Sequence, residues 1–192
     1  MALGFTKSKA YSNLFFKVEG GKPVMFMLYV DDLFLIGKLE LIKVARRRLA
    51  VEFEMKDLGI VHYFLDMELW QGANEISLGQ GKYAVEILKR FGMMDCKAMT
   101  TPMASNLNLL SDASLGSVDA TMYHQMIGCL TYLTNTRPDT CFAVNTLSQI
   151  LIATKHILRY LKGTVDYGLK YEAYQKINLE VYVDSDWVGS AL

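Results

Sequence analysis

The chain has 192 residues, 52% hydrophobic and 21% charged, enough apolar material for one ordinary core or two small ones and too much for a disordered tail. Twenty Lys and Arg balance twenty Asp and Glu, and this zero formal charge excludes a polybasic, histone-like binder; any nucleic-acid contact must come from local clustering. Cys96, Cys129 and Cys141 are scattered without C-x-x-C spacing, which argues against a disulfide framework or zinc module and fits a reducing compartment. Residues 1–17 have no signal-like apolar region and the apolar run 24–30 is far too short to span a bilayer, so an intracellular protein with no membrane role is expected.

In chain order, two short apolar runs, residues 24–30 and 33–37, bracket Asp31 and Asp32, with glycines outside them; this predicts a hairpin of buried strands with the acids at its tip. Ile42, Ala45, Leu49 and Phe53 recur at helical spacing, predicting an amphipathic helix over 40–53 that ends before Asp57-Leu58-Gly59. Residues 60–70 read as one strand, folded by a Gly72-Ala73-Asn74 turn onto 75–78. Val85, Leu88 and Phe91 predict a helix over 82–91 closed by Gly92. Residues 100–120, rich in Ser, Asn and Asp, have no period and read as a connector. Ile127, Leu130 and Leu133 predict a helix over 122–134, Pro138 opens the next, and helical spacing then runs unbroken from Asp139 to Lys162, where Gly163 stops it. A last strand is predicted over 179–183, leading into Asp184-Ser185-Asp186-Trp187.

Adjacent carboxylates at a hairpin tip repel each other unless a cation neutralises them, and a hard divalent metal that keeps waters and substrate phosphates as its other ligands would do so. The plainer reading is a solvated Asp-Asp turn.

Tyr29-Val30-Asp31-Asp32 resembles the Y-V-D-D box of reverse transcriptases. The ordered series that follows, Phe53-Glu54-Met55-Lys56-Asp57-Leu58-Gly59, His62-Tyr63-Phe64-Leu65, Thr101-Pro102-Met103, residues 132–139 and Ile157-Leu158-Arg159-Tyr160-Leu161-Lys162-Gly163-Thr164, is similar to Ty1/copia-type retrotransposon polyproteins over nearly the whole chain. The resemblance implies an α+β fold: a partial polymerase palm over 1–100, a connector over 101–120, a helical thumb- or connection-like region over 121–175, and one strand of an RNase H-like domain over 176–192. It implies that Asp31 and Asp32 hold catalytic Mg2+ or Mn2+, that Tyr29 and Val30 position the hairpin under a primer end, that the run Tyr63-Phe64-Leu65-Asp66-Met67, with Phe64 and Leu65 as nucleic-acid contacts, is the hairpin that grips the primer, and that Asp184 is the first metal-binding carboxylate of the nuclease. The implied partner is an RNA/DNA template–primer, and no protein partner is identified.

Departures from the family pattern accompany the resemblance. An earlier palm carboxylate and the fingers precede Y-V-D-D in the family and are not found here, so polymerisation and RNase H activity by this chain alone are not expected. Asp66 stands where the primer-grip box has Gly, and a charge roughly 4 Å from a primer phosphate would cost about 1–4 kcal/mol. Tyr11 replaces an Asp, and Gly79 and Gly81 replace residues of a helix start, weakening its cap. After Leu147-Ser148-Gln149 a Pro-containing turn and a His-Trp pair are missing, which predicts fusion of two helices and loss of their antiparallel packing.

Lys155, Arg159 and Lys162 at i, i+4 and i+7 form a basic stripe that could meet a phosphate backbone or could be a solvated face. Arg47 and Arg48 could pair with Glu40, Glu52 or Glu54. His62, His124 and His156 share no ligand spacing. Two functions from different classes remain: part of an RNA-directed DNA polymerase, inactive alone, or a non-catalytic relic that binds nucleic acid weakly at most.

Overall fold

The computed structural model describes residues 4–103, 120–147 and 151–173. The predicted strand over 179–183 and Asp184 lie outside them, as does most of the 100–120 connector. The chain divides into two compact units, Met1–Gly59 and Ile60–Leu192.

The first unit is a four-stranded antiparallel sheet, β1 (Thr6–Lys7), β2 (Leu14–Glu19), β3 (Lys22–Tyr29) and β4 (Asp32–Gly37), in that spatial order, followed by helix α1 (Leu39–Glu52). The turn between β2 and β3 is Gly20-Gly21, both left-handed at φ 57° and 73°, a sequence suited to a tight two-residue hairpin. Alternation puts Phe15, Val24 and Phe26 on one face, where they meet Phe5 and Ala45 of α1. Phe15 stacks on Phe26 at 4.7 Å and Phe5 meets Phe26 edge-on at 4.8 Å. Ala45 and Leu49 form the buried stripe of α1, whereas Phe53, expected on it, follows the helix and is exposed. Arg48 finds a partner other than the predicted ones, lying 4.0 Å from Glu19, and Arg46 bonds Asp57.

The second unit holds a second antiparallel sheet, β5 (Tyr63–Phe64), β6 (Met67–Gln71), β7 (Glu75–Gly79) and β8 (Gly168–Glu172), and four helices, α2 (Gly81–Arg90), α3 (Ala120–Leu133), α4 (Pro138–Leu147) and α5 (Leu151–Gly163). The strand expected over 60–70 is instead two strands parted by a turn at Leu65-Asp66. Residues from all four helices, among them Ile87, Leu88, Met126, Leu130, Val144, Ile157 and Leu161, form one core.

The predicted fusion of α4 with α5 does not occur. In a straight helix Asp139 and Tyr160 would stand about 30 Å apart at 1.5 Å per residue, yet the Tyr160 hydroxyl donates to Asp139 Oδ2 at 2.8 Å. The helices are antiparallel, with Ala143 and Val144 packed into the core shared with Ile157 and Leu158. Burial of this apolar face outweighs the local permission for one continuous helix.

The cap of α2 also differs from expectation. Gln80 makes no capping bond; Glu68 of β6 does, with Oε2 accepting the Lys82 backbone N–H at 3.0 Å. Gly81 allows this approach, since a Cβ there would stand 3.2 Å from that oxygen and from the Val165 carbonyl.

Candidate nucleic-acid interface

In the first unit, Tyr29 and Asp32 close the β3–β4 hairpin as its last paired residues, leaving Val30-Asp31 as a two-residue turn. Val30 has φ 52° and is 86% exposed. A β-branched residue in the left-handed region is uncommon, and the crowding costs about 1–2 kcal/mol. The strain displays Asp31 and Asp32, both exposed, at the end of a sheet anchored by Phe15, Val24 and Phe26. No third acid joins them: among the described residues no group of three or more His, Cys, Asp or Glu is placed to hold a metal ion. Two neighbouring exposed carboxylates do not by themselves make the multidentate cage that Mg2+ or Mn2+ requires.

In the second unit, Leu65 and Asp66 form the β5–β6 turn with φ 47° and 59°. Two positive φ values are the signature of the tight hairpin turn that favours Asn-Gly, so a Gly at position 66 would sit there with less strain than Asp66. Phe64 is half-buried and Leu65 exposed. The Tyr63 hydroxyl donates to Asp66 Oδ1 at 2.8 Å, and this bond, with some burial and the Asp66 charge, pushes the Tyr63 phenol up to about 12. Lys82 Nζ lies 5.4 Å from the Tyr63 ring centroid.

The basic stripe of α5 is largely engaged. Arg159 Nε donates to the Lys97 carbonyl at 2.9 Å, Lys162 donates to that of Met94, and the Met99 N–H reaches the Arg159 carbonyl at 3.1 Å. His156 Nε2 lies 3.0 Å from the Thr101 carbonyl. Lys155 is exposed. The stripe therefore fastens the 94–101 segment onto α5.

Two features escaped sequence reading. Arg137, 2% exposed, binds both Asp139 oxygens at 3.0 and 2.7 Å and the carbonyl and hydroxyl of Thr164 at 2.8 Å, with the Tyr160 and Tyr167 rings 5.5 and 5.4 Å away. Burial pushes the Asp139 carboxyl up, but bonds from Arg137 and Tyr160 and the Arg137 charge together hold it below the ordinary aspartate range. A single charged residue amid polar neighbours gives no hint of such burial. The other is a groove of about 800 Å3 beside α2, floored by half-exposed Trp70 and Gly79. Lys82, Lys89 and Lys170 there are matched by three acids, so its charge selects no anion. No helix among the described residues is long and apolar enough to cross a membrane.

Residues 1–105 match the family model for reverse transcriptase (RNA-dependent DNA polymerase). The chain is 40% identical over 172 residues to an uncharacterized mitochondrial protein of Arabidopsis thaliana, covering 85% of this chain and 71% of that protein. It is 36% identical over 199 residues to the Retrovirus-related Pol polyprotein from transposon RE1 of the same plant and 33% identical over 198 residues to that from transposon RE2. Each of these alignments covers 98% of this chain and 14% of the polyprotein. No solved structure matches. With its α+β architecture and the Asp31-Asp32 hairpin, the chain belongs to the reverse transcriptase family. Within that family it corresponds to a copia-type retrotransposon segment.

Proposed function

We propose that this chain is the Y-V-D-D-bearing segment of a copia-type RNA-directed DNA polymerase and that it does not polymerise by itself. The observation that carries the proposal is the β3–β4 hairpin, whose strained Val30-Asp31 turn projects two carboxylates with no third metal-ligating group beside them among the described residues. In a complete enzyme Asp31 and Asp32 are this segment's acidic contribution to the nucleotidyl-transfer site, Tyr29 and Val30 support the primer end, and the β5–β6 tip at Phe64 and Leu65 meets the template–primer. The metal cage is closed by groups that the described residues do not supply, and Mg2+ binding by this chain alone is weak. Asp184 is the corresponding candidate for an RNase H-like centre.

A primer-extension assay on poly(rA)/oligo(dT) with Mg2+ or Mn2+ tests this. Neither the purified chain nor the Asp31→Asn, Asp32→Asn double variant should extend the primer, while both bind a labelled RNA–DNA heteroduplex. Extension that disappears in the double variant would show a complete site and overturn the claim of inactivity. A folded chain with no heteroduplex binding leaves a non-catalytic relic, a reading favoured by the engagement of Arg159 and Lys162 with backbone carbonyls.

A further inference from the structure

The β5–β6 tip has two consecutive left-handed residues, Leu65 and Asp66, and neither is glycine. Such a turn does not hold itself in one conformation, because each residue carries a Cβ that the left-handed region disfavours. One tie comes from within the hairpin, the bond from Tyr63 to Asp66. A second comes from far along the sequence: the Tyr132 hydroxyl, on α3, donates to the Leu65 carbonyl. That oxygen belongs to the first residue of the turn, so the bond fixes the orientation of the peptide at the apex.

Tyr132 is itself held in place. Its half-buried ring meets the Tyr83 ring of α2 edge-on, with centroids 5.4 Å apart and planes at 89°. Tyr83 in turn packs against the helical core that contains Leu88, Leu130 and Leu161. The path runs from that core through two rings and one hydroxyl to the turn carbonyl.

We infer that Tyr132 is a positioning residue for the β5–β6 tip: it presents Phe64 and Leu65 in one fixed arrangement and makes α3 part of the nucleic-acid-handling apparatus. This rests on the proposal above that the tip meets the template–primer. The phenol ring packs on the Tyr83 ring and the hydroxyl donates to the Leu65 carbonyl, so Tyr132→Phe removes that bond and keeps the ring.

The test uses the full chain and the Tyr132→Phe variant, with two readouts. Losing one such bond should speed amide exchange across the Phe64–Met67 pair about five-fold, while exchange at Leu133 and Leu158 stays unchanged. Affinity for a labelled RNA–DNA heteroduplex should fall about three- to ten-fold without a matching loss of global stability. Tyr83→Leu, which removes the ring that orients Tyr132, should give the same local loosening if Tyr132→Phe proves poorly folded. Unchanged exchange at the tip overturns the positioning role. Looser exchange with unchanged heteroduplex affinity overturns the link between tip geometry and binding. A folded wild-type chain that binds no heteroduplex overturns the reading of the tip itself, and the inference with it.

Discussion

Glu68 and Lys82 meet twice: one oxygen of the Glu68 carboxylate accepts the Lys82 backbone N–H at 3.0 Å, and the other lies 3.3 Å from Lys82 Nζ. A strand residue thereby supplies the N-terminal cap that the helix lacks, with a negative charge at the positive end of the helix dipole. Glu68→Ala should lower stability by about 1–2 kcal/mol, and Glu68→Gln by less, because an amide oxygen still accepts the N–H. Urea unfolding followed by circular dichroism checks the order, and equal losses would sink the assignment of the charge to the cap.

Arg137 is buried against Asp139 and Thr164. Arg137→Met should cost about 3 kcal/mol, since it leaves two buried Thr164 acceptors unmet and Asp139 with the Tyr160 hydroxyl as its remaining side-chain partner. Asp139→Asn should cost less, because Asp139 is about a third exposed and water takes over part of its solvation. Thermal unfolding of the two variants side by side tests this ranking.

The same pair predicts an acid limb of stability. The folded Asp139 carboxyl lies below its ordinary 3.8, so its stabilisation is present above the unfolded value and is lost as pH falls through the folded one. Melting temperatures measured from about pH 5 to pH 2 should fall more steeply for the parent chain than for Asp139→Asn. Parallel profiles would mean that Asp139 carries no pH-dependent stability.

Gly168 starts β8 opposite Gly79. A Cβ there would stand 2.5 Å from the Leu78 carbonyl oxygen and 3.1 Å from the Gly79 Cα, both backbone atoms with nowhere to go. Gly168→Ala should destabilise by about 1–3 kcal/mol through overpacking. Unfolding indistinguishable from the parent would show that β8 can shift away at no cost.

Asp66→Gly should relax the left-handed turn and gain about 1 kcal/mol. It also removes the acceptor that raises the Tyr63 phenol, which should return from about 12 toward 10.0. An ultraviolet pH titration of the two proteins would show one tyrosine moving, and no movement would dissociate Tyr63 from Asp66.

The hairpin around Asp31 and the helices α1, α2 and α3 were legible because long apolar periods and a bracketed acid pair are strong local signals. Strand β2 was not, although Phe15-Phe16-Lys17-Val18-Glu19 followed by Gly20-Gly21 is a recognisable strand and turn; the polar residues around it obscured the alternation. The break at Leu65-Asp66 was implied by the resemblance of residues 63–67 to a hairpin but not by their own pattern, since Leu is a poor turn former and the bond that steadies it comes from Tyr132, 67 residues away. The separation of α4 from α5 was hidden for a related reason: helical spacing permits continuity, and only the pairing of Arg137 with Thr164 and the core burial of Val144 decide against it. Asp31 and Asp32 were legible as a pair, while the absence of a third described acid beside them is a fact of three dimensions.

The corner before α4 joins three elements: Thr136 donates to Gln80 at the start of α2, and Arg137 holds Thr164 just past the end of α5. A slide of α4 by one turn, about 5.4 Å along its neighbour, would part the guanidinium from both Thr164 acceptors at once. Sliding of α4 along its neighbour therefore costs both Thr164 bonds in one step, so a single buried guanidinium sets the axial register of α4 against the end of α5.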